Sequence, residues 1–283
     1  MLAPRRSISR EYSESRQGGH GQDIAPSYEE GVAAYARRAY DEAFQCWFLL
    51  AEQGDVNAQY GLGVLFDRGE GVARDLNQAL NWYQQAANQG VADAQYNLAL
   101  LYSEGIGVKA SLSQAVRWFR KAAEQGDAQA QYRLGRCYDQ GIGLARNQEQ
   151  GANWYQRAAE QGHAPARNCL GDMYRTGEGV EQDFNKAIYW LTLAAHQGHG
   201  YAQVNLGYMY DQGQGITANP AEAINWYREA ALHGDPMAQY NLAEMFRVGR
   251  GGPVDEKQAI RWYRKAAAQG HPGAVKRLKQ IVA

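Results

Sequence analysis

Residues 94–126 read "AQYNLALLYSEGIGVKASLSQAVRWFRKAAEQG", and the pattern of this stretch returns every 36 residues along the chain. Six of the seven tryptophans hold one position in it: Trp82, Trp118, Trp154, Trp190, Trp226 and Trp262. The glycine that ends the stretch recurs in the same register from Gly54 to Gly270. Because the register never slips, the units follow one another without insertions. A fixed period of this length indicates an array of stacked supersecondary units.

Two glycines separated by one residue also recur in register, first as Gly69-Glu70-Gly71 and then at residues 105, 141, 177, 213 and 249. A phosphate-binding loop is needed only once in a nucleotide enzyme. It also requires a following Lys-Ser/Thr, or an acidic ribose partner in a βαβ unit, and neither is present here. Six copies therefore predict an architectural role. The first glycine ends a helix in the left-handed conformation, and the second lets the chain turn back tightly.

Each unit predicts two helices. In the first helix Ala58, Leu62 and Phe66 share one face, and the small residue at Gly63 lets the partner helix approach closely. The second helix follows residues that are favoured as N-caps: Asp75, Ser111, Asn147, Asp183, Asn219 and Asp255. Its apolar residues repeat at i, i+3, i+4, i+7 and i+8, which is a wide helical stripe. No strand pattern competes, so the fold class is all-α, with stability supplied by the interfaces between neighbouring hairpins.

The ends of the array differ from its middle. The first hairpin lacks the glycine loop and has Cys46 where the other units have tryptophan. The polar N-terminal segment predicts a disordered tail, or vector-derived or misassigned-start sequence. The predicted boundaries are a tail over residues 1–24 and a solenoid over 25–283, made of an N-terminal hairpin (28–54), six repeats (55–270) and a C-terminal capping helix (271–283).

The segments "AQYNLALLYSEGIGV" and "QAVRWFRKAAEQG" closely resemble the Sel-one-like repeat, a relative of the tetratricopeptide repeat. The resemblance covers residues 28–283. It implies a right-handed α-solenoid whose first helices form a concave surface. It also implies an adaptor or scaffold for protein partners, often in bacteria, with no chemistry of its own. The chain departs from the pattern in the last loop, "GRGGPV", and at Arg167-Asn168-Cys169, where other units read Gln-Tyr-Asn or Gln-Tyr-Arg.

A second face of the first helix carries the candidate binding residues. Tyr60 and Val64 lie two residues from the core positions Leu62 and Phe66, which places them ~200° around the helix axis. Core positions barely vary among units, whereas this face does, so we predict that it lines the concave groove and binds a partner. The predicted partner-binding residues are Tyr60, Val64, Tyr96, Leu100, Tyr132, Arg136, Asp139, Asp172, Arg175, Tyr208, Tyr240 and Arg247. The same face includes Asn168, Val204, Asp211 and Glu244.

This face begins aromatic and apolar and becomes charged from Arg136 onward. A partner segment with an apolar end and a charged end would suit it, and tyrosine and arginine are common anchors in interfaces. Two alternatives stay open. The tyrosines could simply pack against the neighbouring first helix. Arg136, Asp172 and Arg175 could be solvated or pair with each other.

The overall charge of −1 favours no nucleic-acid partner, because such proteins usually carry a strong basic excess. Residues 236–283 are locally basic, with nine Lys/Arg and three Asp/Glu. We interpret them as a solvated end, with contact of residues 247–279 to an anionic membrane surface as the weaker alternative. No apolar run approaches the ~20 residues of a transmembrane segment.

The remaining chemistry favours a protein without a cofactor or catalytic site. Cys46, Cys137 and Cys169 have no paired spacing, which is not typical of a disulfide framework or a zinc site and fits a reducing, cytoplasmic location. The periplasm is the alternative if the N-terminus is not native. Histidines recur at the start of first helices, where we expect caps rather than metal ligands: His163, His199 and His271. We therefore predict a non-enzymatic adaptor that binds a protein or peptide. The alternative is an inhibitor or immunity protein that occludes a toxin or enzyme.

Overall fold

In the computed structural model, residues 27–282 are described, and they form fifteen α-helices and no strand. The predicted tail, residues 1–24, lies outside this part of the chain. The helices are α1 (Tyr28–Ala36), α2 (Tyr40–Glu52), α3 (Val56–Arg68), α4 (Leu76–Asn88), α5 (Ala92–Glu104), α6 (Leu112–Glu124), α7 (Ala128–Gln140), α8 (Gln148–Glu160), α9 (Ala164–Thr176), α10 (Phe184–His196), α11 (Gly200–Gln212), α12 (Pro220–Leu232), α13 (Pro236–Val248), α14 (Glu256–Ala268) and α15 (Pro272–Val282).

Successive helices pair into hairpins, and the hairpins stack. We number them units 1 to 7, from α1–α2 to α13–α14, and α15 packs on the last of them. In each unit the odd-numbered helix is the first helix and the even-numbered helix is the second. Each helix packs against the helix before it and the helix after it, and first helices also touch across units, as α3 touches α5. The chain is therefore the α-solenoid that the repeat pattern predicts, the architecture that the resemblance implies to be right-handed.

The predicted caps and turns are confirmed. Asp75 accepts hydrogen bonds from the backbone N–H groups of Asn77 and Gln78, at 2.9 and 3.1 Å, and so caps α4. The equivalent residue caps every later second helix. Gly69 ends α3 in the left-handed conformation, with φ +71°. The loop glycines thus terminate helices, as their sixfold recurrence predicts.

The second loop glycine also joins one unit to the preceding one. Gly107 has φ +66°, and a Cβ atom there would lie 2.8 Å from the carbonyl oxygen of Leu76. Leu76 is the first residue of the second helix in the preceding unit. The same close approach recurs at Gly71, Gly143, Gly179, Gly215 and Gly251. A side chain at this position would push neighbouring units apart, which explains why glycine recurs there.

The core lies between the two helices of each hairpin and between hairpins. Leu62, Ala79 and Tyr83 are almost completely buried. A Cβ atom on Gly63 would lie 2.5 Å from the Tyr83 ring, so the small residue does allow the predicted close approach. In unit 1 the aromatic residue is not missing. Trp47, one residue after Cys46, is buried and occupies the Tyr83 position of the repeat.

Buried glutamines link the turns of successive units. Gln59 donates from Nε2 to the carbonyl oxygen of Ala51 and accepts at Oε1 from Nε2 of Gln89, at 2.8 Å. We call this arrangement the glutamine relay. It recurs as the pairs Gln95–Gln125, Gln131–Gln161 and Gln239–Gln269. Because each relay satisfies a last-turn carbonyl of one unit from the next unit, it fixes the spacing of the stack.

Two units depart from the relay. In unit 5 Arg167 replaces the inner glutamine but makes equivalent contacts. It donates hydrogen bonds to the carbonyl oxygen of Ala159 and to Oε1 of Gln197, both at 3.0 Å. In unit 6 the outer glutamine is replaced by His233, whose Nδ1 lies 2.8 Å from the carbonyl oxygen of Glu229. Oε1 of Gln203 is consequently buried without a hydrogen-bond partner among the described residues.

Candidate partner-binding surface

The twelve predicted binding residues lie on the first helices of units 2 to 7, from α3 to α13. We call them the first-helix stripe. All are half-buried except Tyr208, which is 41% exposed. Val204, which the sequence places on the same face, is instead buried. Its short side chain belongs to the buried cluster that includes Ala223 and Tyr227, whereas the longer tyrosines at this position in other units are half-buried.

The tyrosines of the stripe are held by aromatic neighbours. The ring centroid of Tyr60 lies 6.0 Å from that of Tyr83, and Tyr96 lies 5.7 Å from Phe119. These partners belong to the second helix of the same unit. The ring contacts of Tyr60 and Tyr96 therefore differ from the alternative that these tyrosines pack against the neighbouring first helix. Burial raises the pKa of the Tyr60 hydroxyl, so it stays protonated and able to donate a hydrogen bond at neutral pH.

Two tyrosines also contact the histidine that begins the next unit. The ring centroid of Tyr132 lies 4.8 Å from that of His163, and the ring centroid of Tyr240 lies 4.5 Å from that of His271. Nδ1 of His163 accepts a hydrogen bond from the backbone N–H of Ala166, which confirms the predicted cap. Burial lowers the pKa of His163, which keeps the ring neutral and able to accept. These ring contacts hold Tyr132 and Tyr240 against the start of the next unit.

Most charges of the stripe are paired within the chain. Arg175 donates from Nε and Nη2 to Oδ1 of Asp172, at 2.9 and 2.7 Å. Its guanidinium group lies 5.8 Å from the centroid of the Tyr208 ring. The alternative that Asp172 and Arg175 pair with each other is therefore correct. Such a pair is ordered, and its second carboxylate oxygen stays available for hydrogen bonding.

Glu244 collects three donors at the C-terminal end of the stripe. It accepts hydrogen bonds from the hydroxyl of Tyr263 at 2.6 Å, from Arg247 at 2.6 Å and from Arg277 at 2.8 Å. Burial is the largest single influence and raises the pKa of the Glu244 carboxyl group, but the three hydrogen bonds together outweigh it and lower that pKa. Arg250 pairs similarly with Asp211. Part of the basic excess of the C-terminal region is therefore neutralised within the chain.

Arg133 and Arg136 on α7 behave differently. Within residues 27–282 neither forms an ion pair, and Nε of Arg133 is buried without a hydrogen bond. Arg136 lies beside the hydroxyl of Tyr132, where its charge opposes the rise in pKa that burial causes. Sequence reasoning named Arg136 but missed Arg133. The available signal was its charge, because the equivalent residues are neutral: Gly61, Asn97, Cys169, Asn205 and Asn241.

Cysteine and metal-ligating side chains are the groups with potential chemistry among residues 27–282. Burial raises the pKa of the Cys169 thiol to about 11, so this cysteine is protonated at neutral pH and a poor nucleophile. No group of three His, Cys, Asp or Glu side chains within residues 27–282 is arranged to hold a metal ion. No helix in that range is long and apolar enough to cross a membrane.

Comparison with known proteins gives one family. The Sel1 repeat model matches seven consecutive segments, residues 23–55, 56–91, 92–127, 128–163, 164–199, 200–235 and 236–271. The first hairpin is thus matched as a repeat as well. No curated protein sequence matches the chain.

Solved structures of bacterial repeat proteins share the architecture. The protective antigen c5321 of uropathogenic Escherichia coli, which displays an SLR fold, is 35% identical with a TM-score of 0.85. That match covers 90% of this chain but 56% of the antigen, so the chain spans little more than half of that relative. A Sel1 repeat protein from Oxalobacter formigenes is 34% identical with a TM-score of 0.77, covering 86% of this chain and 97% of its own.

Proposed function

Because the chain belongs to the Sel1 repeat family, we propose that it is a non-enzymatic adaptor that binds one protein partner along the first-helix stripe. Sel1 repeat proteins are scaffolds for protein interactions. In this proposal the stripe lines the concave side of the solenoid, and the partner contributes an exposed segment. The partner's identity is left to experiment.

The observation that carries the proposal is the contrast between core and stripe. The core position of Leu62 holds leucine in all six units that follow the first hairpin. Two residues along the same helix, the position of Val64 holds valine, leucine, arginine, aspartate, tyrosine and glutamate in successive units. Packing alone requires no such diversity. A surface on which each unit offers a different chemistry can recognise a partner of defined sequence.

The order of the stripe adds support. Its tyrosines are clamped by aromatic neighbours, and Asp172 and Arg175 hold each other in place. Side chains that are already ordered lose less conformational entropy when a partner binds. The stripe therefore has the preorganisation expected of a binding surface.

The test is affinity capture from native lysate with crosslinking and mass spectrometry. The variant Tyr96→Ala with Arg136→Glu removes one aromatic ring and reverses one charge on the stripe. The matched control, Tyr189→Ala with Arg117→Glu, makes the same changes at exposed positions on second helices. We expect a partner captured by the wild type and by the control but lost with the stripe variant. Equal capture by both variants would contradict the proposal.

The same experiment separates the two modes of action. An adaptor leaves the activity of its captured partner intact and joins it to a further protein. An inhibitor or immunity protein forms a one-to-one complex with a toxin or enzyme and stops its turnover. Assay of the captured protein with and without the chain therefore decides between them.

A further inference from the structure

The first helices of units 2 to 7 differ in charge, and the two in the middle of the array, α7 and α9, are positive. Helix α7 contains Arg133, Arg136 and Asp139, which sum to +1, and α9 contains Arg167, Asp172 and Arg175, which also sum to +1. By the same count α3 and α13 are neutral, α5 is −2 and α11 is −1. An anionic occupant is therefore favoured at units 4 and 5 over the rest of the stripe.

Arg133 and Arg136 stand out among the arginines of the chain. Every other half-buried arginine of residues 27–282 donates a hydrogen bond to a named acceptor: Arg120 to Tyr138, Arg167 to Ala159, Arg175 to Asp172, Arg247 to Glu244 and Arg277 to Glu244. Arg133 has no such bond, Arg136 has only the neutral hydroxyl of Tyr132 beside it, and neither has a carboxylate partner in this range. A guanidinium group that has lost part of its water without gaining a counter-ion is costly, and a carboxylate supplied from outside would remove that cost.

Two carboxylates of the first-helix stripe in units 4 and 5, those of Asp139 and Asp172, are already engaged. Asp139 accepts from Nε2 of Gln148 at 3.3 Å and lies 3.5 Å from the hydroxyl of Tyr155. Asp172 is held by Arg175. Neither aspartate forms an ion pair with Arg133 or Arg136. The two arginines are therefore not held by an internal ion pair.

We propose, building on the proposed function, that the partner segment carries a glutamate or aspartate side chain that binds Arg133 and Arg136. The planar guanidinium fork suits a carboxylate because it can donate two parallel hydrogen bonds. The stripe continues on both sides of this point, towards Leu100 in unit 3 and Asp172 in unit 5. A segment lying along it passes through, so the carboxylate belongs to a side chain and not to a chain end.

The stripe also sets the spacing of the segment. Val64, Leu100 and Arg136 occupy the same position in units 2, 3 and 4. Packed helices lie about 8–10 Å apart. A polyproline-II segment advances about 9 Å in three residues and returns to the same face. The segment therefore carries apolar side chains three and six residues from its acidic residue, facing Leu100 and Val64 respectively.

The test uses a phage library of random segments displayed between fixed flanking sequences, so that no segment has a free carboxyl end. Selected segments are then made as peptides with both ends blocked and measured by fluorescence anisotropy. We expect selection of an acidic residue with apolar residues three and six positions away. Replacing that residue by its amide should weaken binding about tenfold or more, the effect of losing a charge-assisted bidentate contact.

Protein variants test whether the two arginines receive that carboxylate. Arg136→Gln should weaken binding about as much as the amide peptide does, and the two changes together should cost little more than either alone. Arg136→Lys should recover only part of the loss. Arg264→Gln removes an exposed, unpaired arginine of α14 and should change nothing. The variant Arg133→Gln is first checked for folding by circular dichroism. If Arg133→Gln is unfolded, the binding measurement on Arg136→Gln alone decides the test.

Selected segments that lack an acidic residue, or that bind Arg136→Gln as tightly as the wild type, would overturn the inference. If such segments still compete with the captured partner, the proposed function stands without it. A library that yields no binding segment counts against the inference, while capture of a partner that is lost with the stripe variant would still uphold the proposed function.

Discussion

Replacing His233 by glutamine should stabilise the protein. His233 stands where units 2, 3, 4 and 7 have the glutamine that completes the relay, and as a result Oε1 of Gln203 is buried without a partner. In those units the corresponding contact measures 2.8–3.0 Å. An unsatisfied buried acceptor costs about 1–3 kcal/mol. Ordering a glutamine side chain offsets part of the gain, so His233→Gln should raise the free energy of unfolding by about 1 kcal/mol.

The assay is urea unfolding followed by circular dichroism, with hydrogen exchange to locate the change, because long repeat arrays do not always unfold as one unit. Protection should increase in units 5 to 7 and stay constant in units 1 to 3. Gln125→His makes the reverse change in unit 3 and should destabilise the protein by a similar amount. In the background Gln203→Ala, which removes the acceptor, His233→Gln should give no gain. A midpoint unchanged by His233→Gln, or a gain that persists in that background, would refute the reasoning.

Three further predictions concern the loops, the caps and the core. Gly107→Ala places a Cβ atom 2.8 Å from the Leu76 carbonyl oxygen. In Gly126→Ala the Cβ atom meets nothing within 4 Å, so only the positive φ destabilises the protein, by ~1–2 kcal/mol. Gly107→Ala should therefore lower the free energy of unfolding in urea by more than Gly126→Ala does. Burial lowers the pKa of His163 and His199, so the unfolded chain takes up protons first and the free energy of unfolding falls as pH drops below about 6.5. Replacing both histidines by aspartate should reduce the loss of stability between pH 7.5 and pH 5. An unchanged loss would exclude the histidine caps as its source. Leu134→Ala empties a fully buried site and should cost about 2–5 kcal/mol by the same unfolding assay, whereas a cost below 1 kcal/mol would mean that the hairpin interface collapses around the cavity.

The fold was predictable because its determinants are local and repeated. Each second helix from α4 to α14 follows a capping side chain, and each first helix from α3 to α13 ends at a left-handed glycine. Both signals depend on residues within a few positions of each other. Six copies in register made them decisive. The sequence also identified the face of the first helix that escapes the hairpin core, apart from Val204.

What the sequence missed depends on distant contacts. Glutamines 30 residues apart meet in the relay, and no local pattern predicts that pairing. Pairing of Asp172 with Arg175 could be anticipated from their i, i+3 spacing, whereas the engagement of Glu244 by Arg277 could not. The lack of a partner for Arg133 emerges only when all of its neighbours are placed. Sequence reasoning therefore found the stripe but not which of its charges are already neutralised.

The most direct test of the central claim is site-specific photocrosslinking to the captured partner. Tyr208 lies on the first-helix stripe and is 41% exposed, and Tyr189 lies on a second helix and is 57% exposed. Each tyrosine is replaced in turn by the photocrosslinker p-benzoylphenylalanine. The two variants carry the same substitution at an exposed tyrosine and differ in whether it lies on a first or a second helix. We predict a crosslink to the partner from position 208 and none from position 189. A crosslink from position 189 alone would place the partner on the second helices and contradict the account.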